Sequence, residues 1–166
     1  MAKKIGILTS GGDAPGLNPV IAGFTRKATE LGYQVVGFLD GWKGLIEGEF
    51  EELTLDRVKE IVSEGGTILG SSRTNPRKVE KGFEKIAETF KKQNIFALAA
   101  CGGDDTLGVT KELTEKGLKV VGVPKTIDND LEATDQTFGF DTSINIAVDA
   151  IERLRTTAKS HHRVFV

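Results

Sequence analysis

Several residue types that carry structural information are scarce in this sequence. Cys101 is the only cysteine, which excludes an intramolecular disulfide framework and is typical of a reducing compartment. Lysines and arginines number 22 against 24 aspartates and glutamates, so the chain has no excess of the basic charge that binds nucleic acids or acidic membranes. No apolar run approaches the length of a membrane span. These absences predict a cytoplasmic protein whose partners include neither nucleic acids nor membranes.

Proline is also scarce, whereas glycine is abundant, with 20 glycines against 4 prolines in 166 residues. The length predicts one domain over residues 1–166. Short apolar runs alternate with helical patterns, and the runs are continuously apolar, as in strands covered by helices on both faces. This alternation predicts an α/β domain with a doubly wound, mainly parallel sheet and helices on both of its faces. The predicted strands are residues 5–8, 35–39, 95–100, 120–123 and 164–166.

Helices are predicted where apolar residues recur every three or four positions. They cover residues 20–31, a short segment 55–62, residues 79–90, a segment that ends near 115, and residues 144–158. Residues 40–44 are predicted to form a loop because glycines flank Trp42 and Lys43. Trp42 and Phe38 are expected to pack in the core.

Paired glycines follow two of the predicted strands, in residues 9–16 and 101–106. Ligands of doubly wound sheets bind at the carboxyl ends of the strands, and glycines let backbone N–H groups come close to a ligand there. A helix follows each loop, and its N-terminus favours phosphate. The alternative is that both loops are only tight turns, with Asp13 and Asp104 as helix N-caps.

A third polar loop, residues 124–130, follows the predicted strand 120–123. Asp128 and Asp130 suit a proton acceptor and an orienting or metal-binding carboxylate, and Lys125 suits neutralisation of phosphate oxygens. The loop could also be a simple polar turn. Arg73, after the small residues 70–72, suits phosphate binding or a solvated surface position equally well. The pair His161 and His162 lacks a spaced third ligand and therefore does not indicate a metal site.

Common nucleotide-binding fingerprints are missing from these loops. Residues 11–16 do not fit the dinucleotide pattern G-x-G-x-x-G, and the P-loop pattern occurs nowhere in the chain. A dinucleotide-dependent dehydrogenase and a P-loop enzyme are therefore both disfavoured.

Taken together, the motifs resemble the phosphofructokinase family over the whole chain. In chain order they are residues 5–18 (IGILTSGGDAPGLN), 65–73 (GGTILGSSR), 102–104 (GGD), 126–130 (TIDND) and 139–142 (GFDT). The resemblance implies Mg²⁺-dependent transfer of a terminal phosphoryl group to the 1-hydroxyl of fructose 6-phosphate, in glycolysis. It also implies that this chain is the donor-binding half of a subunit whose sugar-phosphate-binding second domain is absent from it.

The resemblance assigns roles to individual residues. Asp128 would be the base for the attacking hydroxyl, and Asp104 would help to hold Mg²⁺. The donor phosphates would be bound by Gly11, Gly12, Arg73, Gly103, Asp105, Thr106 and Lys125, of which Arg73 and Lys125 would also act in catalysis. The sugar would be bound by Thr126, Asp128, Asp130 and Arg163. Because Arg163 would reach the sugar phosphate of a neighbouring subunit, the resemblance implies a homo-oligomer with shared active sites.

Two positions favour pyrophosphate over ATP as the donor. ATP-using bacterial relatives usually have glycine at the positions of Asp105 and Lys125, and the pair Asp105 and Lys125 resembles the pyrophosphate-dependent branch. The Asp105 carboxylate would add bulk and negative charge where the α-phosphate of ATP would lie, whereas the Lys125 ammonium can bind pyrophosphate. Ala22 stands where allosteric relatives have an effector-binding arginine, which argues against nucleotide control. The alternatives are an ATP-dependent enzyme and an inactive half that only binds phosphate or nucleotide.

Overall fold

A computed structural model describes residues 3–166. Its strands are β1 (Lys4–Thr9), β2 (Gln34–Phe38), β3 (Phe50–Glu52), β4 (Ile95–Gly102) and β5 (Val120–Pro124). Its α-helices are α1 (Leu17–Glu30), α2 (Trp42–Glu47), α3 (Gly82–Gln93), α4 (Asp104–Glu115) and α5 (Phe140–His161). Short 3₁₀ turns cover Ile61–Ser63 and Pro76–Lys78.

The sheet has the order β3-β2-β1-β4-β5. All of its pairings are parallel except the one between β2 and β3, which is antiparallel. The order reverses at β1, since the chain moves outward to β2 and β3 and then returns to the other side of β1 with β4. The prediction of a doubly wound, mainly parallel sheet is confirmed, and the short antiparallel edge strand β3 was not predicted.

Helices cover both faces of the sheet. The neighbouring residues Ile7 and Leu8 of β1 are both fully buried, and they contribute to two different apolar clusters. One cluster contains residues of α1, and the other contains residues of α2, α3 and α4. Continuously apolar strands are expected when both faces are buried in this way. Phe38 and Trp42 are buried in the second cluster, as predicted.

Three predicted elements are wrong. Residues 40–44 are not all loop, because α2 begins at Trp42 after a turn in which Asp40 and Gly41 have positive φ angles. Residues 55–62 form only one helical turn, closed by a bond from the Val58 N–H to the Thr54 carbonyl, before the 3₁₀ turn. Residues 164–166 are exposed and form no strand, because no strand between residues 3 and 166 pairs with them.

Helix α5 differs from the other helices because none of its 22 residues is buried. Its large apolar side chains are exposed to solvent, between 45% and 66% for Ile144, Ile146, Val148, Ile151 and Leu154. The start of α5 is held near α1, where Phe138 lies against Gly16. The predicted apolar stripe of this helix therefore exists, but it does not pack on the sheet.

Candidate active site

The carboxyl ends of β1 and β4 lie side by side where the strand order reverses. Thr9 pairs with Cys101 in the parallel ladder, and the Ser10 N–H donates to the Cys101 carbonyl at 2.9 Å. The two glycine loops predicted from the sequence therefore begin next to each other. A crevice at this reversal point is where doubly wound sheets bind ligands.

The loop after β1 exposes backbone. Gly11 has a φ of 84°, which is in the left-handed region where a side chain is strained. Gly12 is exposed, and a Cβ atom added there would meet nothing within 4 Å. This part of the loop thus leaves open space that a ligand can occupy against bare backbone.

The loop after β4 leads directly into α4. Gly103 is the N-cap of α4, and Asp104 and Asp105 stand in its first turn with exposed side chains. Gly16 is the N-cap of α1, so the alternative in which Asp13 and Asp104 cap these helices is wrong. The first N–H groups of a helix have no partners within the helix, and the helix dipole favours an anion beside them.

Lys125 connects the third loop to both glycine loops. Its backbone N–H donates to the Gly102 carbonyl at 3.0 Å, and its Nζ donates to the Gly12 carbonyl. The residue is only 3% exposed. Burial lowers the pKa of the Lys125 ammonium, and this is opposed by the nearby Cys101, Asp13 and Asp128. A buried ammonium beside exposed backbone is a strong binding group for phosphate oxygens.

Hydrogen bonds fix the shape of the loop that follows Lys125. The Thr126 hydroxyl donates to Asp130 Oδ1 at 2.9 Å and accepts from the Asp128 N–H at 3.2 Å. The Thr137 hydroxyl donates to the Thr126 carbonyl at 2.7 Å. Asp130 therefore holds Thr126, whereas the exposed carboxylate of Asp128 faces the crevice.

The segment that carries Arg73 is fastened to the loop after β1. The Gly11 N–H donates to the Ser72 carbonyl at 3.3 Å, and the Ser71 hydroxyl donates to the Gly11 carbonyl. The Ser72 hydroxyl donates to the Asp40 carbonyl at 2.6 Å. These bonds place the exposed Arg73 at the mouth of the crevice.

The crevice consists of two clefts that meet at Gly11, Asp105 and Thr106. The first, of about 360 Å³, is lined by Ser10, Gly11, Trp42, Ser72, Arg73, Thr74, Asn75, Lys78, Asp105, Thr106 and Val109. The second, of about 460 Å³, is lined by Gly11, Gly12, Gly103, Asp104, Asp105, Thr106, Lys125, Thr126, Ile127 and Asp128. Asp105 therefore stands at the junction of the two clefts.

The structure brings most of the predicted site residues together. Asp130 lies outside the lining of both clefts but holds Thr126, which is inside. Arg163 is exposed at the end of α5, where its N–H donates to the Ala158 carbonyl, and it does not line either cleft. Asn75 and Lys78 line the first cleft without having been predicted, because neither belongs to a glycine loop or a carboxylate pair.

The carboxylates of the crevice suit a cation that is shared with a ligand. Asp104 and Asp128 both line the second cleft. Within residues 3–166, no three His, Cys, Asp or Glu side chains are grouped closely enough to form a metal cage. Mg²⁺ typically takes one or two protein carboxylates and completes its shell with phosphate oxygens and water. The residues present thus fit Mg²⁺ that arrives with a phosphate ligand.

Comparison with known proteins gives concordant matches. The phosphofructokinase family model matches residues 4–166. The chain is 59% identical over 164 residues to pyrophosphate–fructose 6-phosphate 1-phosphotransferase from Amycolatopsis methanolica, covering 98% of this chain and 48% of that protein. It is 49% identical to ATP-dependent 6-phosphofructokinase 3 from Streptomyces coelicolor, with the same 98% and 48% coverage. Phosphofructokinase from Saccharomyces cerevisiae matches the fold with a TM-score of 0.85 at 30% identity, covering 97% of this chain and 25% of that one.

The chain spans about half the length of the curated relatives it matches. Between residues 3 and 166, no helix combines the length and apolar character needed to cross a bilayer.

Proposed function

This chain belongs to the phosphofructokinase family, and we propose that it binds the phosphoryl donor in a 6-phosphofructokinase that uses pyrophosphate. The reaction transfers one phosphoryl group of pyrophosphate to the 1-hydroxyl of fructose 6-phosphate and gives fructose 1,6-bisphosphate and phosphate. The observation that carries the proposal is the crevice in which two glycine loops, a helix N-terminus, Lys125 and Arg73 surround the space beside Asp128. Phosphoryl transfer depends mainly on such positioning and charge neutralisation.

The donor is assigned from Asp105 and Lys125. A nucleotide that placed its terminal phosphates in the second cleft would extend past the junction where the Asp105 carboxylate stands. Pyrophosphate has no such extension, and Lys125 lines the second cleft together with Gly11 and Gly12. Relatives that are 53–59% identical are named as pyrophosphate-dependent, and those at 46–49% are named as ATP-dependent.

Asp128 is the group that accepts the proton of the attacking hydroxyl. Its carboxylate is exposed and lines the same cleft as Gly12, Gly103 and Lys125, so a sugar hydroxyl between them can reach both a base and the donor. The hydrogen bonds of Thr126 with Asp130 and with the Asp128 N–H hold this loop in place. Lys125 and Arg73 neutralise the charge on the transferred phosphoryl oxygens.

Asp104 is the residue that would hold Mg²⁺, together with oxygens of the donor. When bound, Mg²⁺ neutralises phosphate charge and orients the donor. In this chain, the first turn of α4 supplies Asp104 and also supplies N–H groups, so one element can contact both the cation and the anion.

We infer that most of the residues that bind the sugar phosphate lie outside this domain. Arg163 lines neither cleft and is solvent-exposed, which is consistent with a residue that serves the site of a neighbouring subunit. The exposed apolar residues of α5 are consistent with association. We therefore extend the proposal to a cytoplasmic homo-oligomer whose active sites are shared, with a second domain that binds the sugar phosphate.

A steady-state assay tests the proposed reaction. The chain is incubated with fructose 6-phosphate and Mg²⁺, with pyrophosphate or ATP as the donor in turn, and fructose 1,6-bisphosphate is measured. Turnover should be faster with pyrophosphate. Asp128→Asn should lower kcat by roughly 10²–10⁴-fold, the usual contribution of a general base, whereas the exposed Asp135→Asn serves as a control and should change nothing.

ATP is the second candidate donor, because ATP-dependent relatives also match closely. Faster turnover with ATP would contradict the pyrophosphate assignment. Donor binding without turnover, measured calorimetrically on the folded chain, would indicate a binding half that needs the remainder of the enzyme.

A further inference from the structure

The side chain of Arg77 lies across the outer side of α4. Its Nε donates to Glu112 Oε1 at 2.7 Å, and its Nη2 lies 2.6 Å from the same oxygen. Its Nη1 lies 4.0 Å from Asp105 Oδ1. One guanidinium thus faces two carboxylates that stand seven residues apart on the same face of the helix.

Gly108 leaves room for the guanidinium in this arrangement. It lies between Asp105 and Glu112 on the same stripe of α4, and a Cβ atom added there would be 2.7 Å from Arg77 Nη2. The guanidinium of Arg77 therefore lies close to the backbone of α4 at Gly108.

Arg77 also joins the two walls of the first cleft. One wall is the segment that contains Arg73 and Asn75, which runs into the 3₁₀ turn Pro76–Lys78. The opposite wall is α4, with Asp105, Thr106 and Val109. Because Arg77 belongs to the first wall and Glu112 to the second, their ion pair links the two walls.

We propose that Arg77 is a positioning residue that selects the phosphoryl donor by linking the walls of the first cleft and by covering α4 at Gly108. The proposal rests on the proposed function. Pyrophosphate ends near the junction of the clefts, whereas a nucleotide has to continue along α4, where the Arg77 side chain covers Gly108. Without the Arg77–Glu112 pair, the two walls of the first cleft are no longer linked and the surface of α4 at Gly108 is uncovered, which favours the nucleotide. The walls also become less well ordered, which weakens the binding of the small anion.

Calorimetric titration of the folded chain with Mg²⁺ and either pyrophosphate or a non-hydrolysable ATP analogue gives the ratio of the two dissociation constants. We expect the preference for pyrophosphate to fall by about threefold or more in Arg77→Met, the size of effect expected for a partly exposed ion pair. Glu112→Gln keeps the Arg77 charge but loses the partner, and it should lower the preference in the same direction. Arg57→Met is the matched control, because the pair Arg57–Glu51 is similarly exposed but lies away from the clefts, and it should leave the ratio unchanged.

Three results would overturn the proposal. If the chain prefers pyrophosphate and Arg77→Met has the same ratio, Arg77 does not select the donor, and the proposed function is unaffected. If Arg77→Met changes the ratio of the two dissociation constants and Glu112→Gln leaves it unchanged, the donor preference depends on the charge of Arg77 and not on the link between the walls. If the unmodified chain binds neither donor, the proposed function fails, and this inference fails with it.

Discussion

Replacing Asp105 with glycine should weaken the discrimination against ATP. The carboxylate stands at the junction of the two clefts, and its side chain is 88% exposed. High exposure means that water screens its field, so the dielectric constant of water is the appropriate one. Two unit charges about 5 Å apart then repel each other by about 0.8 kcal/mol, which corresponds to about fourfold in affinity. The same two charges in a buried site would repel each other much more strongly. The small change in affinity that we expect is therefore a consequence of the exposure of Asp105.

Equilibrium binding measures this effect directly. The dissociation constants of pyrophosphate and of a non-hydrolysable ATP analogue are determined in the presence of Mg²⁺. Calorimetric titration of the folded chain provides both constants. Asp105→Gly should bind the ATP analogue about fourfold more tightly relative to pyrophosphate.

Two further variants separate the causes of such a change. Asp105→Asn removes the charge and keeps nearly the same volume, so it should reproduce most of the gain if repulsion dominates. Glu84→Gly removes a first-turn carboxylate from α3 and controls for the loss of a favourable helix-dipole interaction. An unchanged donor preference in Asp105→Gly would refute the reasoning. If the preference changes in Asp105→Gly and not in Asp105→Asn, the cause is the bulk of the side chain and not its charge.

Other predictions concern stability and reactivity. Gly44→Ala should destabilise the fold by roughly 1–3 kcal/mol, because its methyl group would overlap the Leu39 carbonyl oxygen. Gly23→Ala should stabilise the fold by roughly 0.5–1 kcal/mol, since it lies inside α1 with no atom within 4 Å of the added carbon, and urea unfolding compares the two variants. Cys101 is buried and its pKa is raised to about 12 by burial, so iodoacetamide at about pH 8 should label it only after unfolding; labelling of the folded chain would contradict this. Lys125→Met should weaken pyrophosphate binding by roughly 10–100-fold, measured by calorimetry, because a buried charge-assisted contact is lost.

The lowered pKa of Lys125 also has a pH signature, because the folded chain releases this proton more readily than the unfolded chain does. The unmodified protein should therefore gain stability relative to Lys125→Met as the pH rises towards the ordinary lysine pKa of 10.5.

The sequence predicted the elements whose signal is local. Continuous apolar runs indicated the parallel strands, and paired glycines after two of them indicated the crevice at their carboxyl ends. The buried position of Lys125 could not be predicted, because it depends on how the third loop folds back onto Gly12. The same is true of Arg77, whose partners Asp105 and Glu112 lie 28 and 35 residues away.

Other errors have a physical cause of the same kind. Glycines around Trp42 and Lys43 indicated a loop, but burial of Trp42 and Leu45 stabilises a short helix there. The apolar stripe of α5 indicated a packed helix, because periodicity shows that a face is apolar and not what covers it. The strand predicted at residues 164–166 was wrong for a related reason, since a strand needs a neighbour to pair with.

The separation of α5 from the core has a consequence for hydrogen exchange. Amide protons of β1 and β4, at the centre of the sheet, should exchange with solvent only when the whole domain unfolds. Those of α5 are protected by little more than the helix's own hydrogen bonds, since none of its residues is buried and most helical stability in proteins comes from packing of an apolar face. The domain should therefore behave as two cooperative units, with α5 exchanging orders of magnitude faster than the sheet.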